Sequence, residues 1–440
     1  MMELKRKRKG GGVKKEGVSS AMAEAMMARH YSAGEFKDDR HARSWKAKAF
    51  TAAMCAAEVL RDIALDREKW WLAVFALSVF SYSRLVDARL RPAVLGGGGI
   101  SLLDADLHQV MQPNADIQVL VEGLWFVGAP CWLPATASLV FSEGGSNRVW
   151  RHEDGSGFVR VGASVLVEQA GCSNACADWL SPGPAAIARY LPKGGKTAVD
   201  ADDGLLFAEA GDKRVSLLRP DGTRVSVAAA DVDGVRLNGP TAILTTVNGD
   251  VLFADAYATD ASRLKGGLAG RNAPQNAVYR LAQADVARAA SASPAEQSSL
   301  DIKPTLEIAL GESFRPEALA WSPDAKTLYV ADAAGGAVWA FDYADAEPSR
   351  AKTLFFDSFE PKGAASGLAV DDAGRVYVAG PDAVYVVDAQ GKVLGVVRTL
   401  PDDSPRDVAV AGDGHLYVAT KTRLLRVQLK KVKPAALPAT

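Results

Sequence analysis

The chain has 440 residues, 48% of them hydrophobic and 23% charged, and a formal net charge of −1. Such a composition can bury a large core, and it excludes a wholly disordered chain, a collagen and a multi-span membrane protein. A net charge so close to zero gives no long-range field to gather nucleic acid.

Charge is nevertheless uneven, with about +6 over residues 1–70. The start holds Lys5-Arg6-Lys7-Arg8-Lys9 and then Gly10-Gly11-Gly12, with almost nothing apolar, and is expected to be a disordered tail. Residues 19–67 are rich in Ala, Met, Glu, Lys and Arg without a proline, which predicts helices. An apolar run of about 14 residues begins at Trp70-Trp71, short of the roughly 20 needed to span a bilayer. It suits a buried or interfacial helix, with a membrane anchor through residues 70–86 as the alternative. The expected location is therefore the cytoplasm, or otherwise a single-pass anchor. Gly96-Gly97-Gly98-Gly99 reads as a flexible linker. The expected organisation is an extension over 1–68, an apolar segment and linker over 69–114, a folded unit over 115–430 and a tail over 431–440.

Beyond Ser101 short runs of Val, Leu, Phe and Tyr alternate with Asp-Gly and Pro turns, which predicts an all-β region. The runs repeat. Leu139-Val140-Phe141-Ser142-Glu143, Leu205-Leu206-Phe207-Ala208-Glu209, Val251-Leu252-Phe253-Ala254-Asp255, Leu328-Tyr329-Val330-Ala331-Asp332, Val376-Tyr377-Val378-Ala379-Gly380 and Leu416-Tyr417-Val418-Ala419-Thr420 are each followed by a polar turn and a second apolar strand. Six such units predict a six-bladed β-propeller. The segment Asp116 to Val121 is placed to add the outer strand of the last blade and so close the ring.

The run from Arg315 to Asp332, Arg-Pro-Glu-Ala-Leu-Ala-Trp-Ser-Pro-Asp-Ala-Lys-Thr-Leu-Tyr-Val-Ala-Asp, resembles a signature of the senescence-marker-protein (regucalcin), gluconolactonase and luciferin-regenerating-enzyme family. Phe141-Ser142-Glu143 with Asn147-Arg148-Val149-Trp150, Arg236-Leu237-Asn238-Gly239-Pro240 and Gly367-Leu368-Ala369-Val370-Asp371 agree with it in order. The resemblance implies lactone or ester hydrolysis at one divalent cation, usually calcium, in the central channel. It also implies ligands from a Glu-Gly-Pro, a Pro-Asn-Gly and an Asp-Gly-Leu motif, and a further Asn-Asp pair. This sequence departs at each of them. Gly128-Ala129-Pro130, Pro316-Glu317-Ala318, Ser366-Gly367-Leu368 and Thr241-Ala242 stand there instead. Glu317 is the one strong oxygen ligand retained, whereas calcium favours six to eight oxygens.

The first residues of the inner strands are expected to face the channel: Gly128, Gly195, Thr241, Glu317, Ser366 and Arg406. Glu317 and Arg406 are the charged pair among them. They are candidates for a general base and an oxyanion or anion binder, or else an ion pair that fills the channel. Asn238, Thr241 and Ser366 are candidate substrate-binding residues. Asp255 and Asp407, one step from the expected ligand positions, are alternative cation ligands.

The reading is a lactone or ester hydrolase with a degenerate metal site, acting on a small molecule in the channel as a monomer. The alternatives are a non-catalytic binding propeller and metal-independent chemistry at a channel Glu, as in the strictosidine-synthase-like propellers. Cys172 and Cys176 suit a local bridge or metal pair, with two unrelated thiols as the plainer reading. Asp-Gly segments such as Asp231 to Gly234 lack EF-hand spacing and are read as turns. Trp132, Trp150, Trp321 and Trp339 recur at blade positions and are read as packing. No aromatic and basic stripe on the propeller suits nucleic acid.

Overall fold

A computed structural model describes residues 93–95, 98–153, 163–171, 183–190, 204–231, 233–256, 276–297, 299–343, 352–357, 359 and 362–430. The expectations for residues 1–92, Cys172, Cys176 and Gly195 lie outside them. Among the described residues no helix is long and apolar enough to cross a membrane.

The strands form six antiparallel sheets of four or five strands, the blades of a propeller. Blade 1 runs outward through Val127–Leu133, Ser138–Glu143, Arg148–Glu153 and Ala163–Glu168. Blades 2 to 5 begin with the inner strands Ala186–Arg189, Pro240–Thr245, Pro316–Trp321 and Gly367–Val370. Blade 6 takes Pro405–Val410, His415–Thr420 and Arg423–Gln428 from the C-terminal end, and Ile117–Glu122 supplies its next strand, pairing Val427 with Ile117 and Leu424 with Val121. The segment expected to close the ring does so.

The repeat is apolar along almost every residue of its second strand because both faces of that strand are covered. In Val251–Asp255 of blade 3, Val251 and Phe253 pack towards blade 2, while Leu252 and Ala254 pack towards blade 4. A strand buried on both faces loses the apolar and polar alternation of an exposed sheet. The core is accordingly divided into six clusters, each at a junction between neighbouring blades. The tryptophans join these clusters. Trp132 of blade 1 stacks on Tyr417 of blade 6 with ring centroids 6.0 Å apart, and Trp321 meets Tyr343 edge-on at 4.8 Å.

The acidic residue that ends the repeat is a tether. Asp255 accepts the backbone N–H groups of Asn238 (2.8 Å) and Gly239 (2.7 Å), and Asp332 accepts those of Arg315 (3.0 Å) and Ala334 (3.0 Å). Glu143 accepts from the Trp125 N–H and from the Trp150 indole, each at 3.0 Å. In each case the carboxylate fixes the loop that leads into the inner strand of its own blade, and hence the position of the channel wall. Satisfying such backbone donors is what allows a loop to be packed at a blade junction.

One boundary differs from the sequence expectation. Gly99, placed in the linker, begins the strand Gly99–Leu102, which pairs with Val393–Arg398 and becomes the fifth strand of blade 5. Ala93–Val94 likewise pairs with Ile117–Glu122. Leu95, Leu107, Val110 and Met111 then fill the junction of blades 5 and 6. Residues 93–95 and 98–114 therefore belong to the propeller. Glycine density suggests flexibility, but a strand edge and an apolar seam were available to order this segment.

Candidate functional site

The inner strands begin at one end of the central channel, and there the chain leaves regular pairing. Pro240 faces Asp255 while Ala242 faces Ala254, so Thr241 is an extra residue. The same irregularity sets Glu317 between Pro316 and Ala318, and Arg406 between Pro405 and Asp407. Ala129 and Pro130 of blade 1 bulge between Gly128 and Cys131. A bulge re-aims one side chain and increases the local twist. Here it lets consecutive residues face the same space, and both Arg406 and Asp407 line the cavity.

That cavity encloses about 460 Å³. Gly128, Thr241, Glu317, Ser366 and Arg406 all line it, so the structure brings together each described residue expected in the channel. Asn238 is not among the lining residues; it is buried, with its backbone N–H held by Asp255. The Thr241 hydroxyl donates to the Pro316 carbonyl of the next blade at 2.6 Å, and the Ser366 hydroxyl to the Ala379 carbonyl at 3.2 Å. Their oxygens remain available only as acceptors.

Beyond the first residues of the inner strands, Arg315 and the alternative cation ligand Asp407 also line the cavity. Arg315 lies 3.8 Å from Glu317, between Nε and Oε2. Asp407 accepts the Ala129 N–H at Oδ2 (3.0 Å) and the Val408 N–H at Oδ1 (2.8 Å). Desolvation by the channel wall pushes the Asp407 carboxyl up to about 7, assisted by the Glu317 charge and opposed by the two N–H groups and by Arg406. Ala129 makes its contact from the left-handed region, at φ 50°. Glycine is the residue suited to that conformation, and the family motif to which Gly128-Ala129-Pro130 corresponds has glycine there. Arg406 also sits over the Phe126 ring, 5.1 Å from its centroid.

Asp255 is no channel ligand. It is fully buried, both of its oxygens accept backbone N–H groups, and burial pushes it up to about 6.

The donor set of the described residues does not fit a calcium ion. Among the described residues Glu317 and Asp407 are the carboxylates that line the channel, and two guanidinium groups, Arg315 and Arg406, line the same cavity. Each Asp407 oxygen already accepts an N–H. Calcium needs several negative oxygens without competing cations. Among the described residues no group of three or more His, Cys, Asp and Glu side chains is arranged to hold a metal.

Comparison with known proteins agrees with the fold and the motifs. Residues 270–422 match the family model described as SMP-30/Gluconolactonase/LRE-like region. A gluconolactonase of Zymomonas mobilis is 24% identical over 348 residues, covering 76% of this chain and 86% of that protein. The chain is a six-bladed propeller that resembles the gluconolactonases. A solved gluconolactonase structure from Xanthomonas campestris superposes with a TM-score of 0.58 at 20% identity, covering 78% of this chain and 99% of that one. At that identity the superposition speaks for the fold. Fold alone does not fix chemistry, and this chain carries arginines beside its channel carboxylates.

Proposed function

We propose that this gluconolactonase-like propeller hydrolyses a small lactone or ester in its channel, using its two carboxylates and Arg406 in place of a divalent cation. The observation that carries this reading is the convergence of Glu317, Asp407 and Arg406 on one cavity of about 460 Å³. Two carboxylates held in different environments provide a base and an acid.

In this reaction Glu317 takes a proton from water while the water oxygen bonds to the acyl carbon. The carbonyl oxygen becomes an oxyanion facing the Arg406 guanidinium. Collapse breaks the acyl C–O bond, and the leaving alkoxide takes its proton from Asp407. With a value of about 7 the Asp407 carboxyl is protonated in a sizeable fraction of molecules at neutral pH. The products are a carboxylic acid and an alcohol, one hydroxy acid when the substrate is a lactone. Water is the only co-reactant consumed, and the proton held by Glu317 returns through solvent to Asp407 to restore the starting state.

The test is turnover of a panel of aldonolactones and aryl esters by the full chain, with calcium, zinc or manganese and with chelator. Turnover is expected to survive chelation, and Glu317→Gln is expected to lower kcat by about 10²- to 10⁴-fold with an unchanged melting temperature. Turnover abolished by chelator would restore a cation to the site. No turnover by a cooperatively melting protein would leave the channel as a binding site without catalysis.

A further inference from the structure

A second cavity of about 500 Å³ lies between blades 1 and 2. Leu133 and Arg189 line it, and these residues end the inner strands Val127–Leu133 and Ala186–Arg189. It therefore opens where inner strands finish, at the opposite end from the channel residues.

Its lining is cationic. Arg151, Arg189 and Arg219 all contribute, and among the described residues the one carboxylate is Glu168, which forms an ion pair with Arg148 at 3.1 Å. Arg219 is held from behind by the end of the helix Gln283–Ser291, where its Nη2 donates to the Ala289 carbonyl at 2.8 Å and also to the Ala292 carbonyl. That contact leaves its Nε buried without a hydrogen-bond partner, and Arg151 Nε is in the same condition. Leu133, Leu205 and the buried Tyr190 supply apolar surface beside the charges.

We propose that this second cavity binds a small phosphomonoester whose body is apolar or aromatic. Guanidinium forks match phosphate oxygens in pairs, and a group carrying about −1.5 to −2 charge balances the surplus of arginine. The volume lies within the range of about 300–1,000 Å³ usual for small-ligand sites. The apolar wall distinguishes a phosphate carrying a ring or chain from free phosphate. This site is independent of the hydrolytic reading of the channel, since it shares none of its lining residues with it.

The experiment is calorimetric titration of the full chain with phenyl phosphate, with inorganic phosphate and phenol as comparison probes. One saturable site is expected for phenyl phosphate, weaker binding for inorganic phosphate, and none for phenol. The double variant R151A/R189A is expected to lose at least about tenfold in affinity, and R151K/R189K less. Binding is also expected to weaken as salt rises. Should R151A/R189A lose its cooperative melt, R151Q and R189Q are read singly. Equal binding by well-folded arginine variants, phenol binding as tightly as its phosphate, or no saturable binding by the unaltered chain would each overturn the proposal. So would loss of binding in Arg406→Gln, because that result would place the anion in the channel. Lactone turnover is expected to be unchanged in R151A/R189A, which keeps failure here separate from failure of the channel reading.

Discussion

Gly367 of blade 5 stands directly against Asp407 of blade 6. A Cβ placed on Gly367 would lie 2.5 Å from both Asp407 Cα and Asp407 Oδ1, and 3.1 Å from the Arg406 carbonyl. The absence of a side chain in one blade thus sets how deeply the carboxylate of the next can sit. The same carboxylate reaches across to blade 1 through the Ala129 N–H, so Asp407 ties three consecutive blades at the channel mouth.

Gly367→Ala should therefore disturb the fold as well as the site. The nearest obstacle is backbone, which cannot rotate away, and overpacking of this kind costs about 1–3 kcal/mol. The denaturant midpoint is expected to fall, and turnover in the channel to fall further than stability alone explains. An unchanged midpoint would show that the two blades separate freely.

Asp407 makes stability depend on pH. Its ordinary value of 3.8 is raised to about 7 in the folded protein, so between these values the folded state binds more protons than the unfolded chain. Stability is then fully present below the lower value and is lost as pH rises through about 7. Asp255, raised from 3.8 to about 6, contributes in the same direction over a narrower window. Urea midpoints measured from acid to neutral pH should decline, and Asp407→Asn should flatten the upper part of that decline. Parallel curves for the variant and the unaltered protein would contradict the assignment.

Asp255→Ala is expected to destabilise without touching the channel chemistry directly. It orphans the buried N–H groups of Asn238 and Gly239, at about 1–3 kcal/mol for each. Thermal melting should register the loss, and added calcium should not restore it. Recovery of the melting temperature by calcium would return Asp255 to the role of metal ligand.

The residues before the first complete blade are expected to be essential for stability. Leu107 is fully buried, packs in the seam of blades 5 and 6, and would meet a Cβ on Gly395 at 2.5 Å. Leu107→Ala should cost about 2–5 kcal/mol, and a chain shortened to begin at residue 115 should melt at a clearly lower temperature than the full chain. If the shortened chain melts like the full one, the added strand and helix contribute nothing.

Much of the architecture was written locally. Six recurrences of an apolar run ending in a small or acidic residue announced six blades, and the closing strand at residues 117–122 could be placed because a ring leaves one strand missing at its seam. The channel positions of Thr241, Glu317, Ser366 and Arg406 were legible too, since each stands at the start of an inner strand. Strand periodicity could not reveal that Arg406 and Asp407 face the same cavity. Alternation assigns neighbours to opposite faces, and only the bulge at Pro405 to Asp407 cancels that rule. The tethering role of Asp255 was likewise hidden, because a carboxylate in sequence looks the same whether it meets a cation or two backbone N–H groups. Gly99, read as linker, enters a strand for a related reason, since the edge it pairs with lies far along the chain.

The sequence by itself determined the repeat, the all-β class and the ring, because these follow from local hydrophobic period and turn chemistry. Tertiary structure alone decided which charges meet. Arg315, Glu317, Arg406 and Asp407 come from two blades that are far apart in the chain, and they share one cavity only after the ring has closed. Burial and charge pairing depend on distance in space, which no local pattern carries.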